Sequence, residues 1–188
     1  MNVLMLGPVE AWAGGRRLPI GGARQKKLFA LLLLNANRSL SFDRLVAELW
    51  EVPPDSVRQQ VYNSVGSLRR ALAPAGDRLA LVTTDSGYQL NVAPASTDVE
   101  EFRRFVGIAE EADAAGDIDR AIASLRSAID LWRGEALAGL EGRTITAAAA
   151  GLDEQRLAAY EQLTALRLRN GEFSTVNPQQ PASLASVV

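Results

Sequence analysis

The sequence predicts a mainly α-helical protein with small β elements, laid out as two consecutive modules. Three observations carry that expectation. Apolar residues recur at helical spacing in six segments, each closed by Gly, Pro, Asn or a Gly-Asp pair. Strand-like alternation is confined to the first twenty residues and to 79–92. The charge balance changes sign part-way along: residues 1–92 hold 11 Lys/Arg against 7 Asp/Glu, and residues 93–188 hold 9 against 15.

Composition narrows the chemistry. The 188 residues are 47% apolar, enough for a substantial core, and net charge is -2. There is no cysteine and no histidine. Disulfides, thiolate nucleophiles, Cys/His zinc sites and imidazole bases are therefore excluded. No motif marks a carboxylate or Ser/Lys active site, so no enzyme activity and no cofactor is expected. The paired acids Glu100/Glu101, Glu110/Glu111 and Asp153/Glu154 read as solvated helix faces. A pI near 5.3 argues against a non-specific DNA coat. The apolar run Leu28 to Leu34 is too short to span a bilayer. It reads as a buried helix, and a cytoplasmic protein without membrane contact is expected.

The elements follow in order. Val3–Leu6, Val9–Trp12 and Arg16–Ile20, divided by Gly7-Pro8 and Gly14-Gly15, predict a sheet of two or three strands. Ala23 to Asn35 predicts a first helix. Arg24, Lys26 and Lys27 stand in its first turn, where cations oppose the macrodipole, so phosphate or solvent must answer them. Ser39–Ser41 is brief and extended. Ser41 then caps a second helix, Phe42 to Trp50, with an Arg44/Glu48 pair outside. Pro53-Pro54 stops it. Asp55 or Ser56 caps a third helix running to Leu72. Leu79–Thr84 and Tyr88–Val92, joined at Asp85-Ser86-Gly87, predict a hairpin.

The third helix organises the chain. Val57, Val61, Val65, Leu68 and Leu72 form one apolar stripe. Gln59, Asn63, Gly66 and Arg70 project the other way, flanked by Arg58, Tyr62 and Arg69. Arginine reads guanine edges and Asn or Gln reads adenine edges in a major groove. A support helix, a connection, a reading helix and a following hairpin make a helix-turn-helix with a wing.

Residues 1–92 resemble the winged-helix DNA-binding domain of the OmpR type. The matching residues are Leu31-Leu-Leu-Leu-Asn-Ala-Asn37, Asp43-Arg-Leu-Val-Ala-Glu-Leu-Trp50, Val65-Gly-Ser-Leu-Arg-Arg-Ala-Leu72 and Gly87-Tyr-Gln-Leu90. The resemblance implies DNA contacts from Arg58, Gln59, Tyr62, Asn63, Ser67, Arg69 and Arg70 of the third helix, with Thr84 of the wing and Arg24 of the first helix. Ser67 stands where that family often has arginine, and the hairpin tip Asp85-Ser86 is acidic where a basic wing would suit a minor groove.

After Pro94 the pattern becomes purely helical. Asp98 to Ala115, Ile118 to Trp132 and Ile145 to Arg169 are the expected helices, with a looser segment from Glu135 to Arg143. Turns at Ala115-Gly-Asp117 and Asn170-Gly-Glu172 suggest tetratricopeptide-like hairpins. Phe102, Ala114-Ala-Gly-Asp117, Ala128-Ile-Asp-Leu-Trp-Arg-Gly134 and the Leu152–Leu168 helix resemble the bacterial transcriptional activation domain. The whole resembles the Streptomyces antibiotic regulatory proteins, the SARP activators, over about residues 1–173.

The predicted architecture is thus a winged helix over 1–92, a shortened activation domain over 97–173 and a flexible tail over 174–188. The resemblance implies an activator of a biosynthetic gene cluster. It would bind direct repeats in double-stranded DNA through the major groove and recruit RNA polymerase holoenzyme, and it allows a homodimer. A helical interaction adaptor with weak or vestigial DNA binding is the alternative. A fragment ending near Val92 is expected to fold alone.

Overall fold

The structure is a computed structural model that describes residues 2–171. The tail expected over 174–188 lies outside them. Strands β1 (Asn2–Leu4), β2 (Glu10–Ala13) and β3 (Arg16–Arg17) form an antiparallel sheet in that order. Helix α1 (Ala23–Leu34) buries every residue from Leu28 to Leu33, as its unbroken apolar run demands. Ser41 caps α2 (Phe42–Leu49) by accepting from the Arg44 amide at 3.3 Å. Helix α3 (Val57–Leu72) sinks Val61, Val65, Leu68 and Leu72 into the core; Val57 is half-buried.

A short 3₁₀ segment, Ala73–Arg78, leads into β5 (Leu79–Thr83) and β6 (Gly87–Val92). The extended Ser39–Ser41 segment contributes strand β4 (Leu40–Ser41), and the second sheet has the order β4-β6-β5. Two residues fasten it. Asn37, in the left-handed region at φ 63°, donates its amide N–H to Leu90 O and exchanges side-chain bonds with both polar groups of Val92. A Cβ on Gly87 would lie 2.2 Å from Leu40 O and 2.9 Å from the Phe42 nitrogen, so only glycine lets the hairpin close on the start of α2.

The remainder is helical. Thr97 and Glu100 form a capping box at the start of α4 (Asp98–Ala114). Gly116 turns at φ 78°, Asp117 caps α5 (Ile118–Asp130), and α4 and α5 pack as a helical hairpin. Phe102 and Trp132 meet edge to face at 5.7 Å inside it. Helix α6 (Arg143–Arg169) adds Leu152, Ala159, Leu163 and Leu166 to the core.

The two modules are bonded to each other across the sequence boundary near 93–97. Val3 donates its amide N–H to Ser96 O at 2.8 Å. The Met5 and Leu6 amides donate to the Asp98 carboxylate at 2.8–2.9 Å. The Arg133, Leu137 and Ala138 amides donate to the carbonyls of Leu6, Met5 and Gly7. Arg133 also donates from its guanidinium to Pro8 O and lies 3.8 Å from Asp98. Asp98 is 4% exposed. Burial pushes its carboxyl above the ordinary value, against the Leu6 and Met5 N–H groups and Arg133, which pull it down. Elsewhere Thr144 of α6 hydrogen-bonds Glu48 of α2, the residue expected to pair with Arg44. Lys27 of α1 reaches the Gly142 N-cap of α6, so one of the three cations expected to meet phosphate or solvent is turned to the second module. The N-terminal sheet, expected as part of a self-contained 1–92 unit, is stitched to the helices that follow.

Candidate nucleic-acid interface

The outer face of α3 is presented because the inner face is committed. With its apolar stripe in the core, Arg58, Gln59, Tyr62, Asn63, Arg69 and Arg70 are left exposed, and Ser67 is half-buried. Tyr62 is 68% exposed. A Cβ on Gly66 would meet nothing nearer than Arg70 Nη1 at 3.8 Å. Packing therefore does not demand a glycine there, and its effect is to keep the face low enough for close approach.

Gln59 and Asn63 form one unit. Gln59 Nε2 donates to Asn63 Oδ1 at 2.9 Å. That bond leaves the Gln59 carbonyl as an acceptor and the Asn63 amide as a donor, one helical turn apart. An adenine edge offers the complement, the N6 amino donor and the N7 acceptor.

The cations divide by what holds them. Arg58 stacks on Phe42 at 5.2 Å. Arg24 stacks on Trp50 at 4.9 Å and donates to Gln60 Oε1 at 3.1 Å, which brings the start of α1 to the first turns of α3. Arg69 is tied to the hairpin, with Nε on Leu81 O at 2.8 Å and Nη2 on Thr83 Oγ1 at 3.1 Å. Arg70 lies back across Gly66. Thr84 opens the hairpin turn and shares a 2.7 Å hydroxyl contact with Ser39, which also meets Ser86 at 3.1 Å.

The structure thus gathers Arg24, Arg58, Gln59, Tyr62 and Asn63 around the N-terminal half of α3, and puts Arg69 and Thr84 at the junction with the hairpin. Sequence reasoning missed Trp50, Gln60, Ser39 and Thr83, the residues that orient these groups. Only Gln60 carried a signal, one turn after Ser56 on the same helix.

Known proteins share both halves. Residues 20–90 match the family described as transcriptional regulatory protein, C terminal. Residues 97–185 match the bacterial transcriptional activator domain. The chain is 33% identical to the regulatory protein DnrI of Streptomyces peucetius, over 98% of this chain and 71% of that one. It is 35% identical to the regulatory protein AfsR of Streptomyces coelicolor over 89% of this chain and 17% of AfsR. The solved structure of Mycobacterium tuberculosis EmbR, in complex with a low-affinity phosphopeptide, superposes with a TM-score of 0.84 at 29% identity, covering 90% of this chain and 46% of EmbR. The chain therefore spans most of DnrI but under half of EmbR and about a sixth of AfsR. The fold is a winged helix followed by a helical activator domain, and the chain belongs to the SARP family of transcriptional regulators, a family of non-enzymes.

Proposed function

We propose that this chain is a sequence-specific DNA-binding activator of transcription. Helix α3 enters the major groove, and the β5–β6 hairpin lies along the neighbouring minor groove. The observation that carries this reading is the bonded Gln59/Asn63 amide pair beside Tyr62 on the exposed face of a helix fixed by its buried face. The amide pair reads an adenine edge. Arg24, Arg58 and Arg70 answer phosphates or guanine. The family supports a finer reading: direct repeats upstream of the promoters of a biosynthetic gene cluster, recruitment of RNA polymerase through the helical module, dimer formation on the repeats and a cytoplasmic location.

Footprinting and fluorescence anisotropy on the promoters near its own gene test the proposal. The expected result is a protected direct repeat and an affinity that falls at least about tenfold as salt rises, through counterion release. Equal affinity for promoter and random duplex, or no binding at low salt, would overturn it in favour of an interaction adaptor.

A further inference from the structure

We infer that the cleft between the two modules is a binding site for a small amphiphilic carboxylate. The cleft, about 350 Å³, is built jointly by the end of α1, the end of β6, the first turns of α4 and the middle of α6. That size falls in the range of small-molecule sites. Its floor is apolar: Leu33, Val92, Val99 and Leu152 are all buried.

Two features of the walls point to a ligand and to its charge. The first is Gly151, in the interior of α6, where glycine weakens a helix relative to alanine. A Cβ there meets no atom within 4 Å, so neighbouring groups do not require the glycine. Its consequence is open volume on the cleft wall. The second is Arg103 at the rim. Its Nε donates to Gln155 Oε1 at 3.0 Å, and Gln155 is itself anchored on Gly151 O at 3.0 Å, so the guanidinium is held in place with its terminal nitrogens still able to donate. The acidic lining residue, Glu100, has its Oε2 engaged by the Ser96 and Thr97 amides and the Thr97 hydroxyl. An oriented guanidinium above an apolar floor suits a carboxylate head on a short apolar body. Because the floor comes from both modules, such a ligand binds their docked arrangement and stabilises it by mass action.

Sodium octanoate is the probe, titrated into the full chain without DNA by calorimetry and by thermal unfolding, with 1-octanol as the uncharged control. The expected result is saturable one-to-one binding that raises the melting temperature. Arg103→Gln weakens it about tenfold, and octanol binds more weakly than octanoate. Gly151→Leu fills the cleft and abolishes binding while circular dichroism stays unchanged; Gly151→Ala, a milder filling, weakens it. Absence of saturable binding to the natural sequence overturns the inference. So does binding that survives Gly151→Leu, which is adsorption elsewhere, or octanol binding as tightly as octanoate, which is apolar binding without recognition of a carboxylate. Each measurement is independent of DNA recognition, so failure here leaves the reading of α3 standing, and the converse.

Discussion

The joint around Asp98 and the outer face of α3 are both polar, yet they use polarity in opposite ways. At the joint a buried carboxylate accepts from two backbone amides already in place, with a guanidinium 3.8 Å away. On α3 the amides and guanidiniums are exposed, and their partners within the protein only orient them. In the interior an unmade hydrogen bond costs the full desolvation of the group, whereas at the surface water replaces the partner. The joint therefore governs whether the two modules hold together. In the proposed reading the α3 face governs what they bind.

The largest effect is expected from Asp98→Ala. It strands the buried Met5 and Leu6 amides, at about 1–3 kcal/mol for each unsatisfied donor, and takes the carboxylate away from Arg133, 3.8 Å from it. Urea unfolding followed by circular dichroism should show that loss. Because the joint spans both modules, the N-terminal sheet and the helices should lose stability together. Loss confined to the sheet would mean that the modules are independent, as the sequence boundary suggested. The same carboxyl has a pH signature. Burial raises its folded value above the unfolded one, so the folded state holds the proton more firmly. The stabilisation from that proton is complete below the ordinary carboxylate range and lost as pH rises through the raised value. Relative to Asp98→Asn, which does not titrate, the natural protein should lose stability across that interval as pH rises.

Gly87→Ala comes next. Its Cβ has no room against Leu40 O and the Phe42 nitrogen, both backbone atoms that cannot swing aside. The hairpin must shift from β4 and α2, at about 1–3 kcal/mol as for other overpacked sites. Chemical-shift changes should centre on residues 39–42 and 84–88, with the α4–α6 core unmoved. Changes spread evenly over α6 would disprove a local wedge.

These two cases mark what was legible in the sequence. Helices α1 to α6 and the hairpin could be read because each carries its own apolar period and stop signal, within a few residues at the ends. Gly87 was legible as a turn residue, but its steric role needs β4, which local sequence signals only faintly. The joint was not legible. Asp98 reads as an acid in the first turn of a helix, favourable there in any protein; that it binds Met5 and Leu6, more than ninety residues away, follows only from tertiary packing. On α3 the exposed face followed from periodicity, while the partners that orient it, Trp50, Gln60 and Thr83, lie on other elements or point sideways.

Asn63→Ala should change recognition and spare the fold. The side chain is exposed, so stability should move by less than about 0.5 kcal/mol. Discrimination against sites altered at the read adenine should fall by about 1–3 kcal/mol. Binding measured against a panel of single-base operator variants would show a flattened preference at one position. An unchanged panel with a folded protein would remove the amide pair from the reading face.

The smallest and most discriminating effect concerns the adjacent pair Arg69 and Arg70. In sequence Arg70 falls on the outer face and Arg69 on its flank, with phosphate contact expected of Arg69. The structure separates them. Arg69 spends its Nε on Leu81 O and an Nη on Thr83, so it braces the hairpin against α3. Arg70 has an open course across Gly66. Arg69→Ala should therefore cost about 0.5–1.5 kcal/mol of fold stability, the value of ordinary hydrogen bonds lost at a partly buried site, and should weaken specific and random DNA alike. Arg70→Ala should leave the fold stability within about 0.5 kcal/mol of the natural protein. It should reduce the salt slope of binding by about one ion if it meets a phosphate, or relax preference at one base pair if it meets guanine. Measured as a pair, thermal unfolding with salt-dependent anisotropy divides brace from reader. If Arg70→Ala destabilises the fold more than Arg69→Ala does, the two assignments must be exchanged.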